Sequence, residues 1–149
     1  MNKDFLELKD VSYKVGLKNI LSNITFSLKK GEILTIVGPS GSGKTSILKI
    51  IAGLIKPSNG YITFLENLLS SNNVLIPTGE RKIGLMFQED VLFPHYTVYE
   101  NIEFGILNKE KNKRKKIVSK ILSVFKLNDV AELYPDKLSG GEKQRVALA

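Results

Sequence analysis

Eight consecutive residues, Gly38-Pro39-Ser40-Gly41-Ser42-Gly43-Lys44-Thr45, satisfy the pattern G-x-x-x-x-G-K-[ST]. Each fixed position has a chemical use. Glycines let the backbone curl so that successive N–H groups point inward at phosphate oxygens. A helix opening near Lys44 presents unpaired N-terminal amides, and the positive end of its dipole, to the same anion. Lys44 supplies a cation for the outer phosphates. Thr45 offers a hydroxyl to Mg²⁺, and Ser46 adds one for an inner phosphate. An apolar run, Ile33 to Val37, precedes the segment and helical periodicity follows it, which is the context such a cradle requires.

A second glycine cluster lies 95 residues beyond Lys44, in Leu138-Ser139-Gly140-Gly141-Glu142-Lys143-Gln144-Arg145. Ser139 has the character of a helix N-cap, and Gly140 and Gly141 leave backbone N–H groups uncovered where a helix begins. By itself the cluster reads either as a second anion site or as a plain cap after a Pro135-Asp136 turn.

The elements that must hold these segments can be read from periodicity. Phe5 to Tyr13 and Ile24 to Leu28 alternate as half-buried strands. Ile33 to Val37 is apolar almost throughout, as a strand covered on both faces would be. A helix is expected from Lys44 to about Leu54, with Gly53 late in it and Pro57 just beyond its end. Tyr61 to Leu65 and Ile83 to Phe87 read as further strands, and residues 66–80 as a surface connection. After Gln88 the pattern turns helical. Val98 to Ile106 is a short helix, and Lys113 to Phe125 a longer one whose stripe is Ile117, Val118, Ile121, Leu122, Val124 and Phe125. Gly140 to Ala149 is the last.

Composition narrows the function classes. The 149 residues are 42% hydrophobic and 25% charged, which argues against disorder, and the length suits one globular domain. No apolar run approaches a membrane span, and no secretory signal is visible at the start. With no cysteine and a single histidine, His95, the sequence excludes a disulfide scaffold, a thiolate metal site and a Cys nucleophile. The net charge is +7, but residues 109–120 alone carry seven basic residues and one acid. One such run on a helix reads as a solvated face, with a basic patch touching lipid headgroups or nucleic acid as the alternative.

Leu138 to Arg145 resembles the LSGGQ-type signature of ATP-binding-cassette (ABC) ATPases, with Glu142 where Gln is commoner. Other features of that family then match along essentially the whole chain. Tyr13 lies where an aromatic ring stacks on adenine. Gln88 matches the glutamine that approaches Mg²⁺ and the attacking water and relays nucleotide state to a membrane subunit. Gly53 to Gly60 matches the turn after the cradle helix. Leu92 to Ile102 resembles the start of the helical subdomain of importer ATPases. The resemblance implies an α/β fold. Residues 1–87 would form a P-loop nucleotide-binding core with an antiparallel β subdomain, and residues 88–149 a helical subdomain ending in the signature helix.

It also implies a mechanism. ATP and Mg²⁺ on Gly38 to Ser46 of one domain would be covered by Ser139, Gly140, Gly141 and Glu142 of a second, head to tail. Lys44 and Gln88 would serve the chemistry, with Thr45 and Gln88 at the metal. Residues 92–104, with Phe93, Pro94, Tyr96, Tyr99 and Phe104, would grip a permease at the cytoplasmic face of the membrane, and an extracytoplasmic solute-binding protein would act through that permease. Thr78-Gly79-Glu80-Arg81 and Phe93-Pro94-His95 resemble importers of iron(III), molybdate, sulfate or polyamines. The 95-residue spacing excludes a long coiled-coil insert, and the lack of Cys disfavours the zinc-bearing DNA-repair branch.

Hydrolysis in the family needs an apolar strand ending in Asp, an adjacent Glu and a later His. None appears before Ala149. Ile83 to Asp90 is a poor substitute, because Gln88 already has a match there and the order is wrong. His95 stands in a surface loop. The expectation is an incomplete cassette, marginally stable alone, with an exposed apolar edge at Ile33 to Val37, that hydrolyses ATP negligibly. The alternatives are a soluble ABC ATPase acting on ribosomes or nucleic acid, and a non-catalytic nucleotide-binding fragment.

Overall fold

The first alternating run becomes β1 (Leu6–Val15) and the second lengthens into β2 (Lys18–Leu28). Leu6, Leu8 and Val11 of β1 are buried. The step from Leu8 to Val11 breaks the two-residue period, and the register with β2 shifts at the same place. Asp10 lies there at φ +52°, an extra residue in a bulge. Its N–H donates to Thr25 Oγ1 at 2.9 Å, and Thr25 Oγ1 donates to its carboxylate at 3.2 Å, which pins the bulge to β2. Helix α1 (Lys44–Ala52), β3 (Asn59–Phe64) and β4 (Asn67–Ser71) follow. The sheet order is β2-β1-β3-β4, with every neighbouring pair antiparallel.

The computed structural model describes residues 5–87 and 92–149. It divides into two compact units, one ending at Leu85 and one starting at Met86. In the first, Ile47, Ile50 and Ile51 of α1 pack with Leu6, Leu8, Val11, Leu21, Ile62 and Leu69 from the sheet. Gly53 ends α1 at φ +86°, where the Gly53 N–H donates to the Ile50 carbonyl and the Leu54 N–H to that of Lys49. This paired closure requires a left-handed residue, which glycine adopts without penalty.

The second unit holds α2 (Val98–Phe104), α3 (Lys111–Val124) and α4 (Gly140–Leu148). Val98, Ile102, Val118, Leu122, Leu127, Leu138 and Val146 form its core. Val124 does not belong to the stripe of α3. It is 68% exposed, because at about 100° per residue it has turned off the line of Val118 and Leu122. Of the basic run, Arg114 turns inward to pair with Glu103 at 3.0 Å and to donate to the Leu107 carbonyl. Lys111, Lys113, Lys115, Lys116 and Lys120 stay exposed. Among the described residues no helix is long and apolar enough to cross a membrane.

Three expectations are corrected. Ile33 to Val37 is not a strand, and Ile33 and Val37 are 94% and 84% exposed. Ile83 to Phe87 is likewise unpaired. A fully buried strand exists only between neighbours that complete its hydrogen bonds, and neither run finds one among the described residues. Residues 66–80 are not all connection. They contain β4 and a 3-10 turn at Thr78–Glu80, and Leu69 and Ser70 of β4 are buried. The Asn and Ser residues flanking them mask a short edge strand.

Candidate functional site

The cradle is built by the entry into α1. Gly43 is the N-cap at φ +91°, and no side chain caps the helix. A Cβ at Gly43 would lie 2.6 Å from Leu21 Cδ2 and 3.1 Å from the Ile20 carbonyl, so only glycine fits between β2 and the helix start. The first turn of α1 holds no acidic residue. Its leading N–H groups and positive dipole end are therefore uncompensated by the protein, as an anion site requires. Ahead of it, Gly38, Pro39, Ser40, Gly41 and Ser42 are all exposed, with Gly41 at φ +80°.

Lys44 Nζ donates to the Gly38 carbonyl at 2.8 Å and to the Pro39 carbonyl at 2.7 Å. An ammonium has three donors, so this bridge holds the cation across the loop with one donor left for an oxyanion. Thr45 is exposed on the first turn of α1, and Ser46 beside it is half-buried. No group of three or more acidic, His or Cys residues that could hold a metal occurs among the described residues. A metal at this site would need oxygen from Thr45, water and the phosphates themselves. That donor set suits Mg²⁺, which keeps water and takes few protein ligands beside a polyphosphate.

Beside the cradle, Ser12, Lys14, Asn19, Leu21, Asn23 and Ser58 line a depression of about 620 Å³. It shares Leu21 with the wall of Gly43. Tyr13 is not among its lining residues. It is half-buried and packs against the core of its unit. Gln88 lies outside the described residues.

The second glycine cluster is organised differently. Ser139 is the N-cap of α4 and Glu142 closes a capping box on it. The Ser139 N–H donates to Glu142 Oε2 at 2.7 Å and the Ser139 hydroxyl donates to the same oxygen at 2.6 Å, while the Glu142 N–H donates to Ser139 Oγ at 3.4 Å. These bonds hold the Glu142 carboxyl below the ordinary glutamate range. Gly140 and Gly141 are exposed, with open space where a side chain at Gly140 would be. The helix start here already has an anion of its own, whereas that of α1 has none.

Around α2, Phe93, Tyr96 and Phe104 form a ring cluster, with Phe93 and Phe104 centroids 4.6 Å apart. His95 is exposed and stacks edge-on against Tyr96. Sequence reasoning missed the residue that fixes this loop. Asn101 Nδ2 donates to the carbonyls of Phe93, Tyr96 and Thr97, and Asn101 Oδ1 accepts from the Phe93 N–H at 2.8 Å. A lone Asn inside a helical pattern was the available signal.

A cradle of bare amides with a lysine across it, and a capped signature helix on the same chain, can be compared with known proteins. The family model described as "ABC transporter" matches residues 21–149. The chain belongs to the ABC transporter family. Among its ABC relatives is the Fe(3+) ions import ATP-binding protein FbpC 2 of Haemophilus influenzae, 42% identical over all of this chain and 42% of that protein. The glucose import ATP-binding protein GlcV of Saccharolobus solfataricus is also 42% identical, over 95% of this chain and 42% of its own length. The chain thus spans less than half the length of these curated relatives. A solved ABC cassette, MJ0796 in a dimeric post-hydrolysis state bound to ADP and Pi, superposes with a TM-score of 0.79 at 34% identity. It covers 96% of this chain and 67% of that one. The fold is that of the N-terminal part of an ABC ATPase cassette, an α/β P-loop architecture.

Proposed function

We propose that this chain is the ATP-binding part of an ABC transporter's motor subunit, belonging to an importer of an inorganic ion or small solute. The observation that carries the reading is the start of α1, with no side-chain cap and no acid in its first turn, and with Lys44 held across the preceding loop. An anion of several charges is the natural complement of that arrangement. Gly38 to Ser46 would grip the phosphates of ATP, and Thr45 would ligate Mg²⁺, whose role is to neutralise charge on the outer phosphates. Gln88 and Lys44 are the further residues proposed for the chemistry, and Gln88 the further metal contact. Tyr13 is proposed for the adenine ring. Its packing against the core argues for a contact at the edge of the ring, not a broad stack.

Ser139, Gly140, Gly141 and Glu142 would close on the nucleotide of a second cassette, head to tail. That the MJ0796 cassette is dimeric with ADP and Pi bound supports pairing of two cassettes. Permease subunits would dock near the Phe93, Tyr96 and Phe104 cluster, placing the chain peripherally at the cytoplasmic face of the membrane. An extracytoplasmic solute-binding protein would act through the permease, and no nucleic acid is required. The cargo is not set by this chain. Relatives equally similar to it are named for iron(III) and for glucose import, so the same cassette serves unlike solutes. Residues 1–149 alone are proposed to bind MgATP with negligible turnover, because hydrolysis in the family uses an apolar strand ending in Asp, an adjacent Glu and a later His, and these residues do not include that set.

The test is a MgATP titration of the purified chain and of Lys44→Ala. The reading expects saturable binding that falls at least about tenfold in the variant, the loss of a charge-assisted contact of roughly 1.5–3 kcal/mol. Equal affinity in both proteins would refute it.

A further inference from the structure

Arg81 is the only charged side chain fully buried among the described residues, at 1% exposure. Its guanidinium spends all five donors. Nε donates to the Ile76 carbonyl at 2.7 Å, and Nη1 to the carbonyls of Ile50 at 3.0 Å and Ile51 at 2.9 Å. Nη2 donates to the Leu69 carbonyl at 3.1 Å and to Ser70 Oγ at 2.6 Å. Every acceptor is neutral. Ile50 and Ile51 belong to the last turn of α1, where the dipole is negative and the helix leaves acceptor capacity free, the Ile50 carbonyl being met otherwise, among the described residues, only by the capping Gly53 N–H. The cation is thus balanced by the C-terminal end of the helix whose N-terminal end forms the cradle. Gly53 completes the fit: a Cβ there would strike Arg81 Nε and come within 2.7 Å of Cζ.

A planar guanidinium bonded on two edges fixes direction as well as distance. Nη1 holds α1, Nη2 holds β4, and Nε holds the segment that follows β4 at Ile76. Helix α1 is nine residues long, so a rigid rod of about 14 Å links this clamp to the amides of the cradle. Sliding of the rod carries the amides at Gly43 to Ser46 with it, tilting about the clamp swings them through an arc, and oxyanion sites tolerate little displacement.

We propose that Arg81 is a positioning residue for phosphate binding: through the α1 C-terminus it sets the aim of the cradle amides at the other end. This rests on the reading of Gly38 to Ser46 as the phosphate site. A residue that merely stabilises the fold would leave the affinity of folded molecules unchanged. A positioning residue lowers it, and does so equally for a phosphate chain with no base attached.

The experiment measures the affinity of the purified chain for MgATP and for magnesium tripolyphosphate in wild type, Arg81→Lys, Ser70→Ala and, as a stability control, Ile62→Val. Circular dichroism restricts the comparison to folded samples. Arg81→Lys should bind both ligands about tenfold more weakly, by analogy with the loss of an outer-shell partner that orients a metal ligand. Ser70→Ala, which removes one acceptor of five, should bind measurably more weakly than wild type, and Ile62→Val should match wild type. Should Arg81→Lys fail to fold, Ser70→Ala decides. Wild-type affinity for tripolyphosphate in the folded Arg81→Lys or Ser70→Ala protein overturns the inference, as does equal weakening in Ile62→Val. If wild type itself binds neither ligand, the reading of the cradle fails instead.

Discussion

Lys44 and Arg81 serve opposite ends of one helix and are held in contrasting ways. Lys44 uses two donors on loop carbonyls and keeps one available at an exposed site. Arg81 is saturated, and burial pushes its pKa down from the ordinary arginine value without a carboxylate among its hydrogen-bond partners. Glu142 gives a prediction with a definite sign. Its hydrogen bonds to Ser139 lower its pKa in the folded chain. The folded state therefore binds a proton less readily than the unfolded one. The stabilisation is complete above the ordinary glutamate value of about 4.3 and is lost as pH falls through the lowered value. Thermal melts from pH 7 to pH 3 should show Glu142→Gln losing less stability than wild type over the acidic range. Parallel pH curves would contradict the cap. The Lys44 motif was legible because its parts are contiguous. Arg81 was not: in the sequence it is only the end of the Thr78-Gly79-Glu80-Arg81 turn, and its partners stand far off at Ile50, Ile51, Leu69 and Ser70, and at Ile76. Asn101 was hidden for a similar reason, since its carbonyl partners reveal themselves only once the loop from Phe93 to Thr97 folds back on α2.

The helices differ in how they begin, and that difference carries the functional argument. Helices α2 and α4 each open on a capping box, Thr97 with Glu100 and Ser139 with Glu142; α3 opens uncapped on an acid, Glu110, and α1 opens uncapped on a glycine, Gly43, with Lys44 held across the loop before it. Helical periodicity is a short-range signal, so the four α-helices among the described residues lie close to their expected places. Strand identity was harder, because it depends on a neighbour that the local sequence does not contain. Ile33 to Val37 has the composition of a central strand yet no ladder among the described residues. Its exposure has a measurable consequence. Replacing both Ile33 and Val37 by Thr should change unfolding stability in urea by less than about 0.5 kcal/mol. Ile50→Ala, in the core beneath the sheet, should cost roughly 2–5 kcal/mol. A loss above about 1 kcal/mol for the threonine pair would show that the run is packed.

Across the whole molecule, two units carry the two glycine clusters: the bare one opens α1 in the first, and the capped one opens α4 in the second. The positive charge is concentrated on α3, where its lysines are solvated, so net charge and site chemistry are separate matters. The chain spans 42% of the length of the iron(III) importer subunit it resembles, and the central proposal is that these residues hold a phosphate chain. That claim is tested most directly by mapping backbone amide shifts by NMR as MgATP is added to the purified chain. The expected result is a saturable set of large shifts confined to Gly41 through Ser46 and their neighbours on β2, and absent in Lys44→Ala. Shifts that leave those amides in place, or that appear equally in Lys44→Ala, would contradict a phosphate grip at the start of α1.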